Sequence, residues 1–101
     1  MNKLFIYGTL LDKSIQLEVL GRSLDGKFVL IDKQILLRDW AVDGKAYPRI
    51  YPHSVGCVCG QIIEVTDEEL EKLDQFETDK YKRQPIHVKD NGLVETYFPN
   101  L

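Results

Sequence analysis

The sequence has few of the features that mark several large classes of protein. It contains 2 cysteines and 2 histidines in 101 residues, no dense run of lysine or arginine, and no linker-like tract of proline and glycine. The net charge is −3, and phosphate binding needs a clustered positive field, so we expect no nucleic-acid partner. No apolar run approaches the roughly 18 residues that a membrane-spanning helix needs, and no charged-then-apolar leader precedes the first strand. We therefore expect a cytoplasmic protein without a membrane partner.

The scarce cysteines and histidines argue against a metal site. Cys57 and Cys59 are two apart in VGCVCGQ, so on a strand both thiols face the same side. We predict that both point inward as small buried residues in a reducing compartment. His53 and His87 are the only histidines, and neither stands at zinc-ligand spacing from the cysteine pair.

The remaining composition fits one globular domain spanning residues 1–101. The hydrophobic share is 44% and the charged share 29%, which are values of an ordinary globular protein. There are no internal repeats. The order of local signals is strand, helix, several strands, helix and hairpin, which predicts a mixed α+β fold with a largely antiparallel sheet curled into a partial barrel.

The first half of the chain carries clear strand and helix signals. KLFIYG (3–8) is β-branched and aromatic and ends at a glycine, which predicts a buried strand. Residues 12–21 begin with a capping aspartate and stop at a glycine, which predicts a short helix. Residues 27–37 are rich in strand formers, and Asp43–Gly44 predicts a turn after them.

The second half carries stronger signals. Residues 55–65 are predicted to form a strand in which Gly56 and Gly60 indicate bulges or close backbone approach. Thr66 and Glu69 then have the spacing of a capping box, so a helix is predicted to start there. Two further strand-like segments are joined by Asn91–Gly92, a strong hairpin signal.

Glu77 is the first residue whose position predicts chemistry. Leu70, Leu73 and Glu77 follow one another at helical spacing, so the carboxyl group continues the apolar stripe of the helix. Desolvation and the nearby helix C-terminus would both raise the pKa of this carboxyl towards neutrality, as a general acid/base requires. The alternative is that the helix ends near Phe76 and Glu77 turns to solvent. The spacing does not decide between them.

The second candidate is YGTL, Tyr7–Leu10, where a strand ends before a helix. Gly8 allows a tight turn and close approach of a ligand to the backbone. Amide groups in such a turn can cradle a carboxylate or an oxyanion. Taken alone, the motif is also compatible with a simple turn.

Together these stretches resemble a known family. FIYGTL near the start, AYP at 46–48, VCGQIIEVTDEELEKLDQFE and then YKR at 81–83 occur in the order and at the intervals of the gamma-glutamylcyclotransferase-like family. The resemblance is to its small members, which include gamma-glutamylamine cyclotransferases and AIG2-like proteins. It covers nearly the whole chain, and it rests on the combination of YGTL with LDxFE and YxR.

The resemblance implies a fold and a set of site residues. The fold is a small mixed, mainly antiparallel β-barrel flanked by short helices, with a cavity beneath the first loop. The glutamate of LDxFE is the family's general acid/base and corresponds to Glu77. The tyrosine of YxR lies near the cavity and corresponds to Tyr81. The family's YGTL turn binds the glutamyl group through backbone amides, which corresponds to Tyr7, Gly8, Thr9 and Leu10.

The implied reaction is a cyclisation within the substrate. The free α-amine of a γ-glutamyl group attacks its own side-chain carbonyl, closes 5-oxoproline and expels an amine or amino acid. No metal or cofactor is expected, because nucleophile and electrophile belong to one molecule. The expected partner is therefore a small γ-glutamyl compound, and the oligomeric state is left open.

Other functions remain compatible with the sequence. Family members typically have glycine where this chain has Thr78, a departure that affects the rim of the pocket and hence the choice of substrate. The same fold could act on a larger γ-glutamyl amine, or it could be a non-catalytic small-molecule binding domain. A structural or interaction module is a third possibility, and it would need an exposed apolar patch.

Three further side chains have structural interpretations. Trp40 is predicted to lie in the core or the pocket wall. Arg83 is predicted to pair with a carboxylate such as Asp74, and Tyr97 to serve in packing rather than in catalysis.

Overall fold

Strands and helices follow one another in the predicted order. The computed structural model describes the backbone of residues 1–42 and 45–100. In these ranges it describes all side chains except those of residues 33, 35, 37–42 and 45–49. The strands are β1 (Asn2–Ile6), β2 (Lys27–Val42), β3 (Lys45–Val65), β4 (Tyr81–Val88) and β5 (Gly92–Pro99). The helices are α1 (Lys13–Leu20) and α2 (Asp67–Glu77), and 3₁₀ turns cover Gly8–Leu11 and Thr78–Lys80.

The five strands form one sheet in the order β2-β3-β1-β5-β4, which curls into a half-barrel with the two helices beside it. Three of the neighbouring pairs are antiparallel, and β1 runs parallel to β5. The predicted α+β fold with a mainly antiparallel, barrel-like sheet is confirmed. In the described ranges no helix has both the length and the apolar character needed to cross a membrane.

Strand β1 is buried on both of its faces, which explains the uninterrupted apolar run in the sequence. Leu4 and Ile6 are at most 1% exposed and belong to a cluster with the helix residues Leu70 and Leu73. Phe5 between them and Tyr7 directly after the strand belong to a second cluster on the other face of the sheet. A strand covered on both sides has no reason to alternate apolar and polar residues.

Gly60 marks a close approach between β3 and β1, as predicted. A Cβ at this position would collide with the carbonyl oxygen of Ile6 and the ring of Phe5. Both of those residues lie at the end of β1 that leads into the YGTL turn. The glycine therefore lets the two strands come together directly behind that turn.

Helix α1 begins and ends at the predicted residues, and α2 begins at the predicted cap. The Asp12 carboxylate accepts a hydrogen bond of 2.8 Å from the Ser14 amide, and Gly21 ends α1 with φ 77°. At the start of α2, the Thr66 hydroxyl accepts from the Glu69 amide at 3.1 Å, and the Glu69 carboxylate accepts from the Thr66 amide at 3.0 Å. The predicted capping box is confirmed.

The predicted hairpin between β4 and β5 is also confirmed, with one difference in its turn. Val88 pairs with Gly92, so Gly92 is already the first residue of β5. The turn therefore comprises residues 89–91, with Asp90 at φ 66° and the Asn91 amide donating to the Val88 carbonyl at 2.9 Å. The turn predicted at Asp43–Gly44 and the side chain of Trp40 lie outside the described residues.

The cysteines do not face the core, so that prediction is wrong. Cys57 and Cys59 share one side of β3 as the strand spacing requires, but both are exposed. Between them Val58 is 3% exposed, and it pairs with the buried Ile31 of β2. Since Val58 faces inward, its neighbours on the strand must face outward.

Candidate active site

A small pocket lies where β1 leads into the first 3₁₀ turn, close to the end of α2. Its volume is about 10 Å³, which is the space of about one water molecule. Five of the six predicted site residues contribute to its wall: Tyr7, Thr9, Leu10, Glu77 and Tyr81. The remaining lining residues are Phe5, Ile6 and Tyr97. Gly8 lies between two lining residues without contributing to the wall itself.

Glu77 is the last residue of α2, and its side chain is half-buried against the pocket. Leu70 and Leu73, on the same stripe, are 8% and 2% exposed. The helix therefore continues through Glu77, and the alternative in which it ends near Phe76 does not hold. Loss of hydration raises the pKa of the Glu77 carboxyl from 4.5 to about 7.

Thr78 holds an unusual backbone conformation directly after this carboxyl group. Its φ is 60° and its ψ is −164°, a region that is essentially restricted to glycine. The Thr78 hydroxyl donates to the Glu77 carbonyl oxygen at 2.6 Å and accepts from the Lys80 amide at 3.4 Å. These hydrogen bonds fix the turn in which the chain leaves α2.

The YGTL segment forms a 3₁₀ turn over Gly8–Leu11 rather than the start of the following helix. Gly8 has φ 66°, which a residue with a side chain rarely adopts. The Asp12 amide donates to the Thr9 carbonyl at 3.0 Å and closes the turn. The first amides of such a turn have no acceptor within it, so those at the pocket can donate to a ligand.

Gln16 holds this turn in place, although no sequence pattern described above predicted its role. It is 1% exposed. Its Nε2 donates to the Leu10 carbonyl oxygen at 2.7 Å, and its Oε1 accepts from the Leu24 amide at 2.8 Å. A glutamine between Ile15 and Val19, which pack against the core, was the available signal, because a buried amide side chain needs partners for both of its ends.

The pocket tyrosines belong to a hydrogen-bonded chain that reaches the surface. The Tyr7 hydroxyl donates to the Tyr97 carbonyl oxygen, and the Tyr97 hydroxyl donates to Asp74 at 2.7 Å. Arg83 binds both Asp74 oxygens at 3.0 Å, which confirms the predicted pair, and it also reaches Glu95 at 2.6 Å. Burial, followed by nearby ionisable groups, raises the pKa of both phenols, so Tyr7 and Tyr97 are neutral at physiological pH.

Tyr97 has a larger part in this site than the sequence predicted. It is 4% exposed and packs in the core, as expected, but it also lines the pocket. It pairs directly with Arg83 across the hairpin. The register of that hairpin was the signal that could have linked Tyr97 to the YxR motif.

The described part of the chain contains no cluster of side chains suited to a metal ion. Within 1–42 and 45–100, no three side chains of histidine, cysteine, aspartate or glutamate gather in a group that could hold a metal ion. The ionisable side chains that line the pocket are the carboxyl group of Glu77 and the phenols of Tyr7, Tyr81 and Tyr97.

Comparison with known proteins assigns the chain to a family. Residues 4–100 match the family described as Gamma-glutamyl cyclotransferase, AIG2-like. The chain belongs to this family. AIG2-like protein C of Arabidopsis thaliana is 31% identical over 100 residues, which are 93% of this chain and 56% of that relative. This member of the Gamma-glutamyl cyclotransferase, AIG2-like family thus spans a little over half the length of the curated relatives it matches.

Solved structures of similar proteins share the fold of this Gamma-glutamyl cyclotransferase, AIG2-like chain. One solution structure of an Arabidopsis thaliana protein has a TM-score of 0.76 at 28% identity and covers 98% of this chain and 62% of its own. A second, from the same organism, has a TM-score of 0.73 at 30% identity and covers 97% of this chain and 68% of its own.

Proposed function

We propose that this protein is a cyclotransferase that releases an amine or amino acid from a γ-glutamyl compound and forms 5-oxoproline. The observation that carries the proposal is Glu77, a half-buried carboxyl group on the pocket wall with a pKa raised to about 7. A group that titrates near neutral pH can both accept and return a proton during one reaction. Family membership supports the same reaction.

The cyclisation removes two protons from the attacking nitrogen and supplies protons to the departing one, and one carboxyl group can carry them in turn. The Glu77 carboxylate takes a proton from the substrate's α-ammonium group, and the freed nitrogen attacks the γ-carbonyl carbon. A carbon–nitrogen bond forms, and the carbonyl electrons move to oxygen. Protonated Glu77 gives its proton to the departing nitrogen, and the regenerated carboxylate takes the second proton from the attacking nitrogen. The electrons on oxygen then return, and the bond to the departing nitrogen breaks. Glu77 passes this second proton to the released amine, so the products are 5-oxoproline and an ammonium ion, and Glu77 is again a carboxylate.

The pocket's other groups would hold the substrate in the geometry of attack. In this proposal, amides of the Tyr7–Leu10 turn bind the substrate's α-carboxylate or the oxyanion that forms on the γ-carbonyl oxygen. Correct orientation of two groups within one molecule lowers a barrier by about 7–11 kcal/mol. The volume of about 10 Å³ is smaller than a glutamyl group. In this proposal the walls of the pocket adjust when the substrate binds.

Turnover tests this proposal directly. Purified protein is incubated with γ-glutamyl amino acids and γ-glutamylamines, including the ε-linked lysine compound, and 5-oxoproline is measured by mass spectrometry. We expect product, with a rate that falls as the pH drops below about 7, because the base must be ionised. No product from any compound would count against the cyclotransferase. Thermal stabilisation by the same compounds would then identify a non-catalytic small-molecule binding domain.

A further inference from the structure

A wider groove adjoins the small pocket between α1 and the end of α2. Its volume is about 260 Å³, and it shares Thr9, Glu77 and Tyr81 with the pocket. The carboxyl group of Glu77 thus stands at the junction of the two concavities. A substrate whose reacting carbon contacts this carboxyl has one part in the pocket and its other part in the groove.

The walls of the groove are largely hydrocarbon. Beyond the shared residues, it is lined by Ile15 of α1, Phe76 of α2, and Thr78 and Lys80 of the following turn. Phe76 leaves 39% of its surface exposed. An aliphatic chain lying along Ile15 and Phe76 would remove apolar surface of both partners from water.

The charges at the groove disfavour a second cationic group. Among the described residues that line it, Glu77 is the one carboxylate, and the proposed reaction occupies it. An amine whose far end carries another ammonium group would therefore lose hydration there without gaining a second carboxylate partner from the described lining.

We propose that this groove binds the leaving amine of the γ-glutamyl substrate and prefers amines with an uncharged apolar chain to diamines. The identity of the occupant rests on the proposed function, because that function places the γ-carbonyl carbon against Glu77. The glutamyl part then fills the inner pocket, and the substituent on the departing nitrogen extends between Ile15 and Phe76.

The test is binding to the Glu77→Gln protein, which keeps the shape of the site without the general base. Affinities are measured by calorimetry for γ-glutamyl amides of methylamine, propylamine and hexylamine, and for the amide of 1,5-diaminopentane. We expect affinity to rise by about two- to fourfold for each added methylene until the groove is filled. The hexyl compound should bind at least about tenfold more tightly than its ammonium-bearing counterpart of equal length.

A pair of matched phenylalanine variants locates the binding surface. In the Glu77→Gln background, Phe76→Ala should flatten the dependence on chain length. Phe28→Ala removes an aromatic ring that is 68% exposed on β2, outside the groove, and should leave that dependence unchanged. Thermal melting of both variants verifies that each is folded.

Each result decides the inference. A flat chain-length series, equal or tighter binding of the diamine compound, no binding at all, or equal effects of the two variants would overturn it. The proposed function is judged separately, by product formation in the wild-type protein. Wild-type turnover with a flat series would refute the groove alone, whereas a steep series without turnover would refute the cyclotransferase alone.

Discussion

Two glutamates on α2 have opposite electrostatic surroundings although only seven residues separate them. Glu69, in the first turn, completes the capping box, and both of its oxygens accept hydrogen bonds from Arg22, at 2.7 and 2.8 Å. These hydrogen bonds, above all those from the Arg22 guanidinium, lower the pKa of the Glu69 carboxyl to about 2. Glu77, in the last turn, forms no ion pair with any described cation, and desolvation raises its pKa to about 7.

The difference shows how one helix serves structure at one end and, in our proposal, chemistry at the other. Partners that favour the charged form keep Glu69 ionised and fix the start of the helix. Burial without such partners keeps Glu77 close to its titration point. Two carboxyl groups whose environments drive their pKa values apart are a common sign of divided roles.

Replacing Glu77 and Glu69 in turn by glutamine should give the largest contrast in catalytic activity. Glu77→Gln should lower 5-oxoproline formation by about 10²–10⁴-fold, because general acid/base catalysis contributes that range. Glu69→Gln should leave turnover within about twofold of wild type, because glutamine still serves in a capping box far from the pocket. The measurement is the initial rate of each folded variant. Wild-type-like turnover by Glu77→Gln, or a matching loss in Glu69→Gln, would remove the distinction between the two ends.

The same Glu77→Gln change should stabilise the protein, in a manner that depends on pH. The folded-state pKa of about 7 lies above the ordinary 4.5, so the fold disfavours the carboxylate. The loss of folding free energy caused by burying the Glu77 carboxylate is absent below about pH 4.5, grows as the pH rises and is complete above about pH 7. A shift of this size corresponds to on the order of 3 kcal/mol at most, so we expect the variant to gain about 1–3 kcal/mol at pH 8.

Urea unfolding of wild type and Glu77→Gln at pH 4.5 and pH 8 measures this effect. The two proteins should be similar in stability at the lower pH and diverge at the higher one. A gain of equal size at both pH values would mean that desolvation of the carboxylate is not the cause.

Glu69→Ala should have the opposite effect on stability. It removes the capping-box partner and the ion pair to Arg22, which together should cost about 1–2 kcal/mol at pH 7. The charge-dependent part of that loss exists above about pH 4.5 and disappears as the pH falls towards 2, because the folded-state pKa is depressed. Chemical unfolding at pH 7 and pH 3 tests this, with Glu68→Ala on the exposed face of the same turn as the control. Equal losses in both variants would contradict the assigned role of Glu69.

The smallest expected effect concerns the residue after Glu77. Thr78→Gly relieves a backbone conformation with φ 60° and ψ −164° and should stabilise the protein by about 1 kcal/mol, after allowing for the greater freedom of glycine in the unfolded chain. Thermal unfolding measures the gain. A loss of stability would show that the hydrogen bonds of the Thr78 hydroxyl outweigh the strain.

Much of the fold and part of the site could be predicted from neighbouring residues alone. The capping box of Thr66 and Glu69, the cap at Asp12 and the hairpin beyond Val88 depend on contacts within a few positions of the chain. The stripe of Leu70, Leu73 and Glu77 likewise follows from helical spacing. Local interactions of this kind are encoded in short stretches of sequence.

The rest depended on what packs against each element. Strand spacing placed Cys57 and Cys59 on one side, but only the packing of Val58 decided that this side faces solvent. Tyr97 stands 90 positions after Tyr7 in the chain, yet its carbonyl oxygen accepts a hydrogen bond from the Tyr7 hydroxyl. It lines the pocket because the hairpin of β4 and β5 folds back beside β1.

The sequence by itself therefore determined which carboxyl group shares a helix face with the leucines, since that depends only on the period of the helix. Only the tertiary structure decided that this carboxyl group titrates near neutrality. Desolvation is the loss of surrounding water, and β1, the 3₁₀ turn after it and Tyr81 exclude that water together. These segments are distant in the chain, and no local pattern specifies that they meet.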